Sequence, residues 1–257
     1  MTTAYGTNIH QLTGGGRRQV CPRASQPLRL KTHEHPWAQP GASGQIPCVV
    51  VFLHFLVARV SSRLMTSRPG DMGRSMGWAF ARLTFLPTLA FNVAMRRVSA
   101  RQWYNRVDDR LILGALPFRG MTKELVEVEG VKGVVSMNED YELMWLANAK
   151  KEWESVGVKF LQLSTTDIFE APSQEKLQRG VEFIQEMESS NESGSVYVHC
   201  KAGRTRSATL VACYLMSKYK WNPEKALAHI VAARPHVWLG PQQHRALATF
   251  YETVVQS

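Results

Sequence analysis

The pattern of apolar and polar positions changes near residue 100. From Arg101 onward, short β-branched runs alternate with stretches of helical period. "LILGAL" (111–116) predicts a strand, "TKELVEVE" (122–129) a short helix and "VKGVVSMN" (131–138) a second strand. "YELMWLANAKKEWESVG" (141–157) has helical spacing and is closed by Gly157, and "VKFLQLS" (158–164) alternates as a third strand. Ser173, after Pro172, stands where it can cap a helix whose apolar positions are Leu177, Val181, Ile184 and Met187. "SVYVH" (195–199) predicts a fourth strand. Beyond it, Ala208, Val211, Ala212 and Leu215 share one helical face. Asn222-Pro223-Glu224 opens another helix with cap and proline in their preferred places, and Pro235 stops it. A last helix covers about 241–255. Strands alternating with helices predict an α/β domain, with a central, mostly parallel sheet and helices on both faces. Residues 101–257 are enough to bury a full core.

The N-terminal part reads differently. Residues 1–45 contain Gly, Pro and Gln without period and predict disorder. "IPCVVVFLHFLVARV" (46–60) has an apolar core too short to span a bilayer. "WAFARLTFLPTLAFNVAMRR" (78–97) contains Arg82 and Pro87 and ends in Arg96-Arg97. It predicts an amphipathic or tilted membrane-associated helix with a basic flank, the alternative being a helix packed on the domain. The expected organisation is therefore 1–75 as a disordered or upstream extension, 76–100 as a targeting and membrane-associating segment, and 101–257 as the folded domain. In-frame methionines at Met65, Met72 and Met76 leave later starts open.

Charge supports that division. The chain carries a formal net charge of +10. Residues 1–100 hold 12 Lys and Arg against two acids, Glu34 and Asp71, and the remaining residues hold 19 of each sign. A basic nucleic-acid-binding surface on the domain is thereby excluded as the source of the charge. An acid-poor, arginine-dotted leader with Ser and Thr resembles a mitochondrial transit region, a plain basic tail being the alternative. The four cysteines, Cys21, Cys48, Cys200 and Cys213, form no CxxC pair, no zinc spacing and no disulfide framework. A reducing compartment is expected.

The chemistry is concentrated in "VYVHCKAGRTRSATLVACYL" (196–215). A loop between a strand and a helix N-terminus is an anion site, because its N–H groups converge and the helix dipole adds positive charge. Ala202 and Gly203 leave room for backbone to wrap round a phosphate, with Lys201, Arg204, Thr205 and Arg206 completing the loop. The planar fork of Arg206 can grip two oxygens. Cys200 would sit at the floor, its thiolate favoured by the helix end and nearby cations. Ser207 can donate to the sulfur as it leaves, and His199 can help hold the loop. Cys213, within an apolar helical run, reads as core. Three cations within six residues suit a substrate with more than one phosphate, or attract any phosphorylated ligand.

"VHCKAGRTRSAT" resembles the signature of the protein-tyrosine phosphatase superfamily, dual-specificity branch. The resemblance implies a protein-tyrosine-phosphatase-like fold, a cysteinyl-phosphate intermediate, and no metal or cofactor. It also implies a general-acid aspartate on a loop about thirty residues before the cysteine. In "LSTTDIFEAPS" that residue is Asp167, 33 residues before Cys200, with Glu170 in reserve. With "RQWYNRVDDRLILGALPFR" (101–119) and "GVVSMNEDYE" (133–142), the chain is similar to the mitochondrial phosphatidylglycerophosphate phosphatases of this superfamily. "LTFLPTLAF" resembles their N-terminal targeting and membrane-associating region.

That similarity implies removal of the terminal phosphate of phosphatidylglycerophosphate, giving phosphatidylglycerol for cardiolipin synthesis. The setting it implies is the matrix side of the inner mitochondrial membrane, with an anionic phospholipid as substrate. It assigns substrate selection to the loop Glu139, Asp140, Tyr141 and Glu142, where the family pattern has Glu in place of Asp140. The alternatives are a phosphoprotein (Tyr/Ser/Thr) or phosphoinositide phosphatase, a non-catalytic phosphate-binding module, and a sulfur-transferring or arsenate-reducing cysteine loop.

Overall fold

The structure, a computed structural model, describes residues 71–167, 170–190 and 194–256, with helical side chains from residue 81. The expectations for 1–45 and 46–60 lie outside the described residues. Five strands form one sheet: β1 (Tyr104–Asp108), β2 (Leu111–Gly114), β3 (Val131–Ser136), β4 (Lys159–Gln162) and β5 (Ser195–His199). The order is β1-β2-β5-β3-β4. β1 runs antiparallel to β2, and the β2/β5, β5/β3 and β3/β4 pairs are parallel. The four expected strands are all present. β1 was not expected, because its sequence, YNRVD, buries only Val107 and carries no alternation signal.

Helices cover both faces, as the alternation of strand and helix requires. Leu111, Leu113, Val135, Val196 and Val198 point to one core. That core is completed by α4 (Gln174–Ser189), α5 (Arg206–Tyr219), α6 (Pro223–Ala233) and α7 (Pro241–Phe250). Ile112, Val134 and Tyr197 point to the other, against Phe85 and Leu89 of α1 (Asp71–Val98), Trp103, Leu125, Leu143 and Trp153. The caps fall where expected: Ser173 Oγ accepts the Lys176 N–H at 3.3 Å and Asn222 Oδ1 the Lys225 N–H at 3.0 Å. The 122–129 pattern folds as a π-type turn, Glu124–Val128. The last helix ends in a similar turn, Tyr251–Val255.

One expectation is corrected, and for a second segment the alternative kept open is the one observed. The 141–157 segment is not one helix but two short ones, α2 (Asp140–Leu143) and α3 (Lys150–Ser155). Between them the chain turns to pair with a neighbour: Phe118 bridges Ala147, and the Arg119 N–H donates to Leu146 O at 3.1 Å. Tertiary pairing overrides helical spacing there. The 76–100 segment begins earlier, at Asp71, and it packs on the domain: Ala81, Phe85 and Leu89, four apart, are buried. Its other face keeps Leu83 (79% exposed) and Leu86 outside. Among the described residues no helix is long and apolar enough to cross a membrane.

Candidate active site

β5 is a central strand, and the chain leaves its end at His199 to enter α5 at Arg206. The carbonyls of residues 201–205 in the connecting loop find partners outside it. Lys201 O accepts from Leu116 N (3.3 Å) and Arg204 O from Trp238 N (3.1 Å). Ala202 O and Gly203 O accept from Arg234 (3.1 and 2.8 Å), and Thr205 O from Thr209 N (2.9 Å). In a trans peptide the N–H of residue i+1 points away from the C=O of residue i. The N–H groups of Ala202, Gly203, Arg204, Thr205 and Arg206 therefore converge on the inside, at the N-terminus of α5, as an anion nest. Gly203 makes the turn possible, with φ +64°. A Cβ there would lie 2.4 Å from Gly114 O, so no side chain fits.

Cys200 lies on the floor of the nest, 3% exposed. Burial alone would push its thiol up. Arg206, together with the Ser207 hydroxyl and N–H, outweighs burial and holds it below the ordinary value, although Asp167 opposes them. Ser207 Oγ is 3.2 Å from the sulfur. His199 is buried beneath the loop, and its pKa is lowered to about 3 by burial, against a hydrogen bond with the Cys200 backbone. It is neutral, so the positive charge here comes from Arg206, Lys201 and the backbone. Cys213 is in the core of α5, where burial pushes its thiol well up.

Arg206 is fully buried and held on all sides but one. Glu142 binds it bidentately, at 2.8 and 3.0 Å, and Met137 O and Thr165 O accept from Nη1 at 3.2 and 2.8 Å. Asp167 Oδ1 is 3.1 Å from Nη2. Nε is buried with no hydrogen-bond partner among the described residues, so one strong donor remains for a ligand. The other carboxylate oxygen of Asp167 pairs with Lys201 Nζ.

The structure brings Cys200, Asp167, Arg206, Ser207 and the loop residues 201–205 together. Lys201 points to Asp167 and Thr88. Arg204 is committed through Nε to His236 O at 2.8 Å, and Thr205 Oγ1 donates to Trp238 O at 3.0 Å. The 139–142 loop divides. Glu142 is sealed beneath Arg206 and cannot touch a substrate; it also accepts the Glu139 N–H at 2.8 Å, closing the first turn of α2. Asp140 accepts from Gln162 at 2.8 Å. Glu139 is half-buried, with its carboxyl pushed up by burial and by Glu142. Tyr141 stacks edge-on against Phe85, under the Arg82 guanidinium. Glu170 is exposed.

Two contributors escaped sequence reasoning. Arg234 frames the loop from outside, bonding Gly203 O and Ala202 O as well as Gln102 O, Trp103 O and Asn105 Oδ1. It meets no carboxylate among the described residues, and burial lowers its pKa to about 10. Its only local signal was its place before Pro235. The second is Thr88 of α1, whose hydroxyl meets Lys201 at 2.8 Å.

Known proteins agree with this chemistry. The model of the dual specificity phosphatase catalytic domain matches residues 124–253. Over 177 residues the chain is 46% identical to phosphatidylglycerophosphatase and protein-tyrosine phosphatase 1 of Rattus norvegicus, covering 68% of this chain and 91% of that protein. The Homo sapiens protein of the same name is 43% identical over 177 residues, with 68% and 87% covered. The crystal structure of PTPMT1 in complex with PI(5)P aligns with a TM-score of 0.56 at 42% identity, over 60% of this chain and 98% of that one. A thiol-floored anion nest on this sheet, matched by relatives of that similarity along most of their length, places the chain in the dual-specificity phosphatase family, as a cysteine-based phosphatase.

Proposed function

We propose that the protein removes the terminal phosphate of phosphatidylglycerophosphate, leaving phosphatidylglycerol and inorganic phosphate. The observation that carries this reading is the nest of five inward amides around a thiol held below its ordinary pKa, in a chain 43–46% identical to enzymes named for that lipid. Cys200 Sγ bonds to phosphorus as the bond from phosphorus to the glycerol oxygen breaks, and that oxygen takes a proton from the Asp167 carboxylic acid. Water then attacks phosphorus and gives its proton to the Asp167 carboxylate. The S–P bond breaks, and the thiolate returns to the Ser207 hydroxyl. The nest amides and Arg206 Nε stabilise the charge on the transferring phosphoryl oxygens, so positioning and electrostatics carry most of the rate.

Phosphoinositide and phosphotyrosine are the second reading. A PTPMT1 structure contains PI(5)P, and the mammalian relatives are also named protein-tyrosine phosphatase 1. Phosphatidylglycerophosphate is preferred among lipids on the names of the relatives, and a lipid is preferred over phosphotyrosine because the side of the site formed by α1 and α2 is apolar outside. Leu83 and Leu86 of α1 are exposed, as are Met144 and Trp145 just after α2. The two elements touch through Phe85 and Tyr141. That side would rest on the bilayer, with the headgroup reaching the loop. The acid-poor N-terminal hundred residues support delivery to the matrix side of the inner mitochondrial membrane, which mass spectrometry of the mature N-terminus from fractionated cells tests.

Full-length protein incubated with phosphatidylglycerophosphate vesicles is expected to give phosphatidylglycerol and phosphate in equal amounts, and Cys200→Ser to give neither. Product formation by Cys200→Ser at the wild-type rate rules out the covalent route.

A further inference from the structure

Helix α1 reaches the reacting groups through one hydroxyl. Thr88 Oγ1 donates to Thr84 O at 2.6 Å, one turn back. With its hydrogen committed there, the oxygen accepts from Lys201 Nζ at 2.8 Å. Lys201 follows the nucleophile and its side chain is almost completely buried, with Nζ 5.9 Å from the Phe85 ring centroid, also on α1. The same ammonium pairs with Asp167 Oδ2, while Arg206 takes Oδ1. The carboxylate is thus gripped at one oxygen from α5 and at the other from α1 through Lys201. A flexible four-carbon side chain fixes nothing unless its own end is fixed. Thr88 and the Phe85 ring do that here.

We propose that α1 is a working part of the active site: Thr88 orients Lys201, and Lys201 holds the Asp167 carboxyl at the leaving oxygen. Thr88 and Lys201 are then positioning residues for proton transfer, and Lys201 acts on the acid rather than chiefly as a phosphate ligand. The inference rests on the reading of Asp167 as general acid. It gives α1 a catalytic effect separate from any role in membrane association.

The dependence on the leaving group tests this. An alkyl phosphate needs a proton on its leaving oxygen, whereas an aryl phosphate with an acidic phenol barely does. The readout is the ratio of kcat/KM for an alkyl monoester to that for an activated aryl phosphate, in full-length protein, because kcat/KM reports the first chemical step. All variants are compared at one pH on the acid side of the optimum, which favours the protonated acid wherever a carboxyl is present. Lys201→Met and Thr88→Val are expected to lower the ratio by about threefold to tenfold, the size of one ordinary hydrogen bond, and Thr88→Ser to restore it. Asp167→Asn is expected to lower it far more. If Asp167→Asn leaves the ratio unchanged, the assignment of the acid fails. If it lowers the ratio while Lys201→Met and Thr88→Val lower both rates equally or neither, the positioning role fails alone. Unequal melting of the variants does not mimic the result, since misfolded protein lowers both rates together.

Discussion

Cys200 and Cys213 are thirteen residues apart, both buried, and chemically opposite. Burial raises both thiols; only Cys200 has an arginine and two hydrogen bonds from Ser207 to reverse it. Iodoacetamide, which reacts with thiolate, is therefore expected to label Cys200 and leave Cys213 untouched in native protein, as peptide mapping will read. Ser207→Ala removes a donor to the sulfur and disfavours the thiolate. The pH midpoint of Cys200 alkylation should move upward, so labelling at a pH below the midpoint slows. A midpoint that stays put or falls would remove Ser207 from the account. The spacing of Cys200, Arg206 and Ser207 was legible in the sequence because one short loop fixes all three. Thr88, 113 positions from Lys201, was not, since only the fold brings them together.

The elements show the same division between local and distant causes. α4 and α6 could be read in advance because each carries its own cap, Ser173 and Asn222, and its own apolar stripe. The buried strands could be read because parallel pairing demands continuous β-branched runs. β1 could not, being a polar edge strand held by one neighbour, and the 141–157 helix breaks because residues 118–119 capture its middle. α2 is only one turn long, yet it delivers Glu142 to Arg206. The sequence assigns that loop to substrate selection by resemblance; one member, Glu142, supports the arginine from below. Removing it leaves a buried guanidinium short of its bidentate partner. Glu142→Ala is expected to cost about 3–5 kcal/mol of stability in denaturant titration and to lower kcat/KM on lipid and aryl substrates alike. A stability change below about 1 kcal/mol would show that Arg206 does not depend on α2.

Across the chain, basic charge and phosphate chemistry occupy different regions. The N-terminal hundred residues carry the net charge, while the domain is balanced and gathers Lys201, Arg204, Arg206 and Arg234 at one loop. α1 joins the two regions, with its inner face in the core behind the sheet and its outer face apolar beside the site. On the proposed function, that outer face would lie against the bilayer from which the monoester projects. The most direct measurement is the initial rate of phosphate release by full-length protein from phosphatidylglycerophosphate vesicles, set against phosphatidylinositol 5-phosphate vesicles and a phosphotyrosyl peptide at equal accessible substrate. The kcat/KM for phosphatidylglycerophosphate is expected to be at least tenfold above either competitor, on the order of one 1.4 kcal/mol difference in transition-state binding. A rate on the peptide or the phosphoinositide equal to or above that on phosphatidylglycerophosphate would contradict it.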